Sequence, residues 1–169
     1  MKINIFGASG SGVTTLGTAL AAQLKINYFD SDAFFWEETE VPFSIKRDPE
    51  LRNKAFSTAS GQSEDWILGG SVVNWGTAIT EKFDFIVFLH IPQPIRMERL
   101  QNRETERYGA AILANAARKE KSEAFLRWAK DYDEVTGIAT RNIKAHREWL
   151  QHQKYPYLKS MVISLLRNE

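Results

Sequence analysis

Short runs of apolar residues alternate along the chain with segments in which apolar residues recur every three or four positions. The runs predict five strands, at residues 3–6, 26–29, 66–68, 83–91 and 157–163. The run at 83–91 is almost continuously apolar, which is typical of a parallel strand that is covered on both faces. Helices are predicted directly after residue 13, at 49–61, at 72–82 and from Pro92 and Pro94 onward. This alternation predicts an α/β fold.

A glycine-rich stretch joins the first predicted strand to the first predicted helix. It reads Gly7-Ala8-Ser9-Gly10-Ser11-Gly12-Val13-Thr14-Thr15. The helix that follows carries Leu16, Leu20 and Leu24 at every fourth position, which predicts one buried face. Strand, glycine-rich turn and helix form the context of a phosphate-binding loop, in which backbone N–H groups and the positive end of the helix meet the anion. The stretch therefore predicts a nucleotide site.

One residue departs from the full phosphate-loop pattern G-x-x-x-x-G-K-[ST]. The pattern maps from Gly7 to Gly12 with Thr14 at its last position, and Val13 stands where a lysine is expected. That lysine usually reaches the β- and γ-phosphates as a point charge, which valine cannot do. We therefore expect the loop to bind phosphate, with the Thr14 hydroxyl on Mg²⁺, and fast phosphoryl transfer to need a cation from elsewhere.

Two carboxylates follow the second predicted strand, in the stretch Asp30-Ser31-Asp32. They lie at the edge where open α/β sheets bind ligands. Asp32 is a candidate to orient or deprotonate a substrate hydroxyl, and Asp30 is a candidate to hold a water of a Mg²⁺ shell. The alternative is that one of them caps a helix that begins near Ala33.

Aromatic and glycine residues mark candidate walls for the acceptor pocket. The aromatic positions at 34–36 and 41–43, Phe35 among them, either line a small-molecule pocket or belong to the core. The third predicted strand runs into Gly69-Gly70-Ser71, where glycines permit a ligand to approach the backbone closely. This strand ends without an aspartate, so any help with Mg²⁺ has to come from Asp30 or Asp32 together with Thr14.

Arginines are the candidate anion-binding side chains. Lys46, Arg47 and Arg52 either meet an anionic acceptor or form a solvated surface. A second set shares one helical face because its spacing is three, four and four: Arg96, Arg99, Arg103 and Arg107. Like charges at that spacing repel, which favours an anion opposite them, although neighbouring glutamates also fit a salt-bridged surface.

The segment from 104 to 134 is charged but balanced and contains an amphipathic helical pattern. Its apolar positions are Phe125, Trp128, Ala129 and Tyr132. Such a segment between core elements is a candidate lid that excludes water when it closes. Arg141 and His146 lie on the segment that follows.

The bulk composition narrows the possible classes. The chain has 169 residues, a formal net charge of +1 and no cysteine. The length suits one domain, the charge disfavours a nucleic-acid partner, and disulfides and thiolate metal sites are excluded. The sequence shows neither a secretion signal nor an apolar run of about 18 residues, so we expect a cytoplasmic protein without a membrane partner.

The motifs together resemble those of P-loop small-molecule kinases of the adenylate kinase and shikimate kinase group. Within that group the chain is similar to bacterial adenylate kinase-related proteins, some of them labelled DNA topology modulation proteins. The resemblance extends over essentially the whole chain. The stretches that are shared are Phe29-Asp30-Ser31-Asp32, Phe88-Leu89, Arg99-Leu100, Arg103-Glu104, Trp128-Ala129 and Tyr132-Asp133. The resemblance implies a five-stranded parallel sheet in order 2-3-1-4-5, ATP phosphates on residues 7–15, a lid at about 104–125, and an acceptor site near Asp32, Arg47 and Ser71.

The expected activity is ATP- and Mg²⁺-dependent phosphoryl transfer to a small molecule, with a nucleoside monophosphate as one acceptor. The alternative is a nucleotide-binding protein with little or no turnover, because Val13 replaces the loop lysine. The candidate catalytic residues are Asp32, Arg99, Arg103, Arg107 and Arg141. The candidate nucleotide and metal residues are Gly7, Ser9, Gly10, Ser11, Gly12, Val13, Thr14, Thr15 and Asp30. The candidate substrate residues are Asp32, Phe35, Arg47, Gly70 and Ser71. Monomer and homodimer both remain open.

Overall fold

A computed structural model describes residues 1–154 and 156–160 of the chain. Strands and helices alternate along it as the apolar pattern predicts. In chain order they are β1 Lys2–Gly7, α1 Val13–Leu24, β2 Asn27–Asp30, α2 Ser31–Phe35, α3 Pro49–Ser60, β3 Trp66–Gly69, α4 Thr77–Thr80, β4 Phe85–Leu89, α5 Gln93–Ala114, α6 Ala116–Glu134, α7 Ile143–Gln151 and β5 Tyr157–Ser160.

The five strands form one parallel sheet in the order β2-β3-β1-β4-β5. This confirms the α/β fold class and the strand order that the resemblance implies. Residues 161–163 of the predicted last strand lie outside the described residues. Because the strands are parallel, the carboxyl ends of β1, β2 and β3 meet at one edge, at Gly7, Asp30 and Gly69. The sheet therefore brings together the candidate residues that follow these strands.

Apolar clusters cover both faces of the sheet, because successive strand residues point to opposite sides. Ile3 and Ile5 of β1 join the cluster that lies against α1. Phe6 joins the larger, aromatic cluster with Phe56 and Trp66. None of the helices in the described ranges has the length and apolar character needed to cross a membrane.

The buried face of α1 differs from the prediction. Leu16 and Leu24 are 39% and 40% exposed, and the buried residues are Gly17 and Ala21. A Cβ on Gly17 would lie 2.3 Å from Cε2 of Tyr28. The helix therefore approaches the sheet so closely that only small residues fit at the contact. Of the predicted leucine face, only Leu20 packs against the apolar cluster, while Leu16 and Leu24 fall at its margins.

The helix predicted at 72–82 is also wrong in extent, because only α4, Thr77–Thr80, is helical. Before it, Asn74 and Gly76 have left-handed φ angles of +66° and +84°, which a right-handed helix does not tolerate. Val72 and Trp75 are nevertheless buried in the aromatic cluster. By contrast the helix predicted at 49–61 is confirmed as α3, with Gly61 as its C-cap.

Candidate functional site

The glycine-rich stretch forms a tight loop between β1 and α1. Gly10 and Gly12 have φ angles of +80° and +90°, in the region that favours glycine. A Cβ on Gly7 would lie 2.5 Å from the Leu89 carbonyl oxygen, and one on Gly10 would lie 2.8 Å from the Arg96 carbonyl oxygen. A Cβ on Gly12 would meet nothing within 4 Å. The loop therefore rests on β4 and α5 and faces open space at Gly12.

The loop and the start of α1 present hydrogen-bond donors that the protein leaves unused. The N-terminus of α1 has no side-chain cap and no acidic residue in its first turn. The Ser11 hydroxyl is buried and has no hydrogen-bond partner within the described residues. Thr14 and Thr15 are exposed on the first turn. Free N–H groups, a positive helix end and an unpaired hydroxyl are what an anion such as phosphate needs.

Val13 has no polar group to offer to this loop. Its side chain packs partly against the apolar cluster between α1 and the sheet. A cation does come close from another element. Nη1 of the exposed Arg99 on α5 lies 3.3 Å from the Gly10 carbonyl oxygen. The structure thus brings Arg99 to the loop that lacks its lysine.

Arg103 and Arg107 lie one and two turns further along α5. The Arg103 guanidinium stands over the Phe125 ring at 5.7 Å, and its Nε is buried without a hydrogen-bond partner among the described residues. Burial lowers the pKa of Arg103, and the charge of Arg107 lowers it further. An anion beside this pair would offset both effects.

Arg96 does not belong with the ligand-facing arginines, which corrects the shared-face prediction. It is fully buried, donates to the carbonyl oxygens of Ser9 and Ile91 at 3.0 and 3.1 Å, and forms an ion pair with Asp133. Its guanidinium also lies 5.2 Å from the centre of the Tyr132 ring. The first turns of α5 are covered by α6 and the loop, so Arg96 holds the loop in place instead of facing solvent.

The two aspartates after β2 have different surroundings. Asp30 caps α2, because its Oδ1 accepts a hydrogen bond from the Asp32 backbone N–H at 2.9 Å. Asp32 lies in the first turn of α2 and is exposed at the mouth of the site. The protein around its carboxyl group raises the pKa of Asp32 by desolvation, the nearby Arg141 opposes this, and Asp30 adds to it. The capping alternative is thus borne out for Asp30.

Arg141 is an electrostatic neighbour of both Arg52 and Asp32. Arg52 is only 5% exposed and lies 4.4 Å from the Trp75 ring, while Arg141 lies 4.7 Å from the Phe35 ring. Burial lowers the pKa of both guanidinium groups, and the charge of Arg141 lowers the pKa of Arg52 further. Of their guanidinium nitrogens, only Nε of Arg52 makes a hydrogen bond to the described residues. Two cations with free donors therefore stand close together.

The turn after β3 completes this edge of the sheet. Gly70 has a φ of +113°, and a Cβ there would lie 1.8 Å from Oγ of Ser31. Nδ2 of the buried Asn4 donates to the Gly70 carbonyl oxygen at 3.1 Å. Ser71 is buried, and its hydroxyl lies 2.9 Å from Nε2 of His146. The turn is held rigidly beside α2.

The aromatic segment divides between the core and a surface groove. Phe34 and Phe35 pack against the core. A groove of about 530 Å³ is lined by Asp32, Trp36 and Phe43, the last 66% exposed, and by three glutamates, Glu37, Glu38 and Glu40. These carboxylates repel an anion, so the groove itself is not suited to bind the anionic part of a ligand.

Other candidates lie elsewhere or were missed. The structure pairs Arg47 with Glu37, at 3.3 Å, within the segment between α2 and α3. Asn4 lies within the apolar run of β1, and a polar residue in such a run is a signal of a buried hydrogen-bonding role, here with the Leu68 carbonyl oxygen. No sequence signal separates the buried Arg52 from its exposed neighbours.

No group of three or more His, Asp or Glu side chains that could hold a metal ion occurs within the described ranges. Magnesium needs few protein ligands, because it keeps several waters. Thr14, Asp30 and Asp32 supply only oxygen donors near the loop, which suits this ion.

A parallel sheet in the order 2-3-1-4-5 with a glycine loop after its first strand is the α/β fold of P-loop kinases. The chain belongs to the family of the uncharacterized protein YqaC of Bacillus subtilis (strain 168), with which it is 41% identical over 158 residues, covering 94% of this chain and 86% of YqaC. No family model matches the chain. Among solved structures it is similar to deoxyadenosine kinase from M. mycoides with bound dATP, with a TM-score of 0.52, 15% identity and coverage of 95% of this chain and 91% of that one. It is also similar to shikimate kinase from Aquifex aeolicus vf5, with a TM-score of 0.44, 22% identity and coverage of 59% and 69%.

Proposed function

We propose that the protein transfers the γ-phosphoryl group of ATP to a small acceptor that carries a negative charge. The observation that carries the proposal is the pair Arg52 and Arg141, of which Arg141 is also an electrostatic neighbour of Asp32. Their charges repel, they are desolvated, and their terminal nitrogens are free of partners within the described residues. A phosphate or carboxylate group between them would remove the repulsion and accept the free N–H groups. Nucleoside monophosphates belong to this class of acceptor.

Asp32 is the group that we assign to the acceptor hydroxyl. Its raised pKa makes the carboxylate a better proton acceptor than an ordinary aspartate. Phe35 and the Gly70-Ser71 turn would flank the acceptor, since Phe35 carries the Arg141 guanidinium on its ring face. The acceptor oxygen would then be oriented toward the phosphate loop at the same sheet edge, and such positioning supplies much of the catalysis in phosphoryl transfer.

The loop from Gly7 to Thr15 would hold the nucleotide phosphates. The unpaired Ser11 hydroxyl, the backbone N–H groups of the loop and the start of α1 support this assignment. Thr14 would hold Mg²⁺ directly and Asp30 through a water, and the ion would neutralise charge on the β- and γ-phosphates. Asp30 already uses Oδ1 to cap α2, so its other oxygen is the one left for the metal shell.

Arg99 is our candidate for the cation that Val13 cannot supply. It reaches the Gly10 carbonyl oxygen from α5, at the loop to which we assign the nucleotide phosphates. Arg103 and Arg107 would join it when residues 104–125 close as a lid over the single domain. That segment is held as one helical hairpin, because Ser122 donates to Glu104 at 2.9 Å across α5 and α6. The unpaired Nε of Arg103 supports a partner that arrives with the nucleotide.

The test is a coupled assay of ADP release with Mg²⁺·ATP and a panel of acceptors. The panel contains nucleoside monophosphates, sugar phosphates and hydroxy carboxylates, with uncharged nucleosides and sugars for comparison. We expect only anionic acceptors to raise ADP release above ATP hydrolysis alone. Arg52→Gln and Arg141→Gln should each raise the acceptor KM by about tenfold or more, since each removes a charged hydrogen bond, with the ATP KM little changed.

Arg127→Gln is the matched control, because Arg127 is an exposed arginine on α6 whose only ion pair within the described residues is with Glu123 at 3.9 Å. Asp32→Asn should lower kcat by about a hundredfold or more without weakening ATP binding. An uncharged compound as the best acceptor would contradict the anionic class. Tight Mg²⁺·ATP binding with no acceptor-dependent ADP release across the panel would contradict kinase turnover.

A further inference from the structure

A buried chain of hydrogen bonds runs from α6 through α7 to the turn after β3. The Tyr132 hydroxyl lies 2.8 Å from Nδ1 of His146, and Nε2 of His146 lies 2.9 Å from the Ser71 hydroxyl. Tyr132, His146 and Ser71 are 5%, 1% and 8% exposed. Apolar packing alone does not account for the burial of these three side chains, because each places a polar atom within hydrogen-bond distance of the next.

The protonation states of the three side chains determine which of them donates and which accepts each hydrogen bond. Burial lowers the pKa of His146 to about 3, so the imidazole is neutral and carries one N–H. Desolvation raises the pKa of Tyr132, so the phenol keeps its proton, and His146 is its hydrogen-bond partner among the described residues. Tyr132 therefore donates to Nδ1, and the N–H is on Nε2, which donates to Ser71. The Ser71 hydroxyl proton is then left for another acceptor.

The Tyr132 end of this series of hydrogen bonds lies close to the phosphate loop. The Tyr132 ring lies against the Arg96 guanidinium, which donates to the Ser9 carbonyl oxygen at 3.0 Å. Arg141 is an electrostatic neighbour of both His146 and Asp32. The hydroxyl of Ser71 therefore belongs to the region where the acceptor is assigned, and α6 supports this turn and the phosphate loop at once.

We propose that His146 is a positioning residue, which holds Ser71 with its hydroxyl proton free to donate a hydrogen bond to the anionic acceptor. This rests on the proposed function. Tyr132 fixes the tautomer of His146, and His146 fixes the rotamer and the donor role of Ser71. Neither Tyr132 nor His146 touches the acceptor. The ligand recognised is the same phosphate- or carboxylate-bearing molecule that the arginine pair binds.

The first experiment tests which side chains donate and which accept, and it needs no turnover. In protein labelled with ¹⁵N-histidine, we expect His146 to show the neutral Nε2–H tautomer, identified by the signal that His146→Gln removes. Tyr132→Phe should shift the signal toward a mixture of tautomers, because Nδ1 loses its donor. Ser60→Ala is the control, since Ser60 is a buried serine at the end of α3, and it should leave the signal unchanged. An Nδ1–H tautomer in the unmodified protein would overturn the proposal.

The second experiment tests the link to the acceptor. Ser71→Ala and His146→Leu should each raise the acceptor KM about tenfold or more, as the loss of one hydrogen bond to a charged group allows, with the ATP KM within about twofold. The double variant should be no worse than either single variant, because both remove the same donor. His146→Gln, which retains an N–H for Ser71, should restore most of the affinity. Equal rises in both KM values, or effects that multiply, would overturn the proposal.

The failure of the proposed function is distinguishable from the failure of this inference. If no acceptor supports ADP release, the same variants are compared by calorimetry with inorganic phosphate as the probe, in the presence of Mg²⁺ and a non-hydrolysable ATP analogue. Ser71→Ala should then weaken phosphate binding about tenfold, and Ser60→Ala should not. Equal phosphate affinity in Ser71→Ala and the unmodified protein would overturn the inference.

Discussion

Arg96 connects the stability of the fold to the shape of the phosphate loop, so its replacement is a sharp test. We consider Arg96→Met, which keeps the volume and the apolar stem but removes the charge and the donors. The variant leaves Asp133 without its ion-pair partner and the carbonyl oxygen of Ser9 without its donor. Breaking a buried pair by removing one partner costs about 3–5 kcal/mol. The Asp133 side chain is 26% exposed, so solvent screens part of this, and we expect a loss of about 2–4 kcal/mol in unfolding free energy.

The measurement is urea unfolding followed by tryptophan fluorescence, for which the chain has five tryptophans. For a chain of this length the loss corresponds to a fall in Tm of roughly 5–15 °C. The ATP dissociation constant should rise as well, because the Ser9 carbonyl no longer has an anchor. Arg99→Met is the control, since Arg99 is exposed one turn further on, and we expect a change within about 0.5 kcal/mol.

The double variant Arg96→Met, Asp133→Leu distinguishes the cost of leaving Asp133 unpaired from the cost of lost packing around Arg96. Because it removes both charges, no unpaired carboxylate remains in the partly buried site, and part of the lost stability should return. The reasoning would be refuted if Arg96→Met were as stable as the unmodified protein, or if Arg99→Met were equally destabilising. Either result would mean that the loop does not depend on the buried guanidinium.

Three further predictions concern the loop and the buried histidine. Val13→Lys should raise the rate of ADP release if the rest of the site is competent, and an unchanged rate, with Val13→Leu as the size control, would contradict this. Thr14→Ala should weaken Mg²⁺·ATP binding more than metal-free ATP binding in calorimetry, and equal losses would remove Thr14 from the metal. His146 has a folded pKa of about 3 against an ordinary value of 6.5, so the unfolded chain binds the proton first as the pH falls. The contribution of neutral His146 to the free energy of unfolding is therefore intact above pH 6.5 and declines toward pH 3, by about 2 kcal/mol at pH 5. His146→Gln should remove this part of the pH dependence of urea unfolding. An identical dependence of unfolding free energy on pH in the variant would refute the assignment.

The apolar pattern and the glycine spacing were sufficient for the strands, the α/β class and the tight glycine loop between β1 and α1. Both patterns predict structure because they act between residues that are close in sequence. An apolar run favours a covered strand, and glycines at fixed offsets permit the left-handed turns of the loop. The same local reasoning identified Pro49 and Gly61 as the bounds of α3. Asp32 could be placed at the ligand edge because it follows a parallel strand.

Packing between distant segments decided the rest. The close approach of α1 to Tyr28 buries Gly17 and leaves Leu16 and Leu24 at the margin, which no periodicity can reveal. The four arginines of α5 share a spacing, yet α6 covers Arg96 and leaves Arg99 at the loop. Spacing determines which side chains share a helical face. Whether that face meets solvent, a ligand or a buried carboxylate depends on elements far along the chain. For the same reason, the surroundings of Arg52, Arg141 and His146 were decided by the tertiary structure.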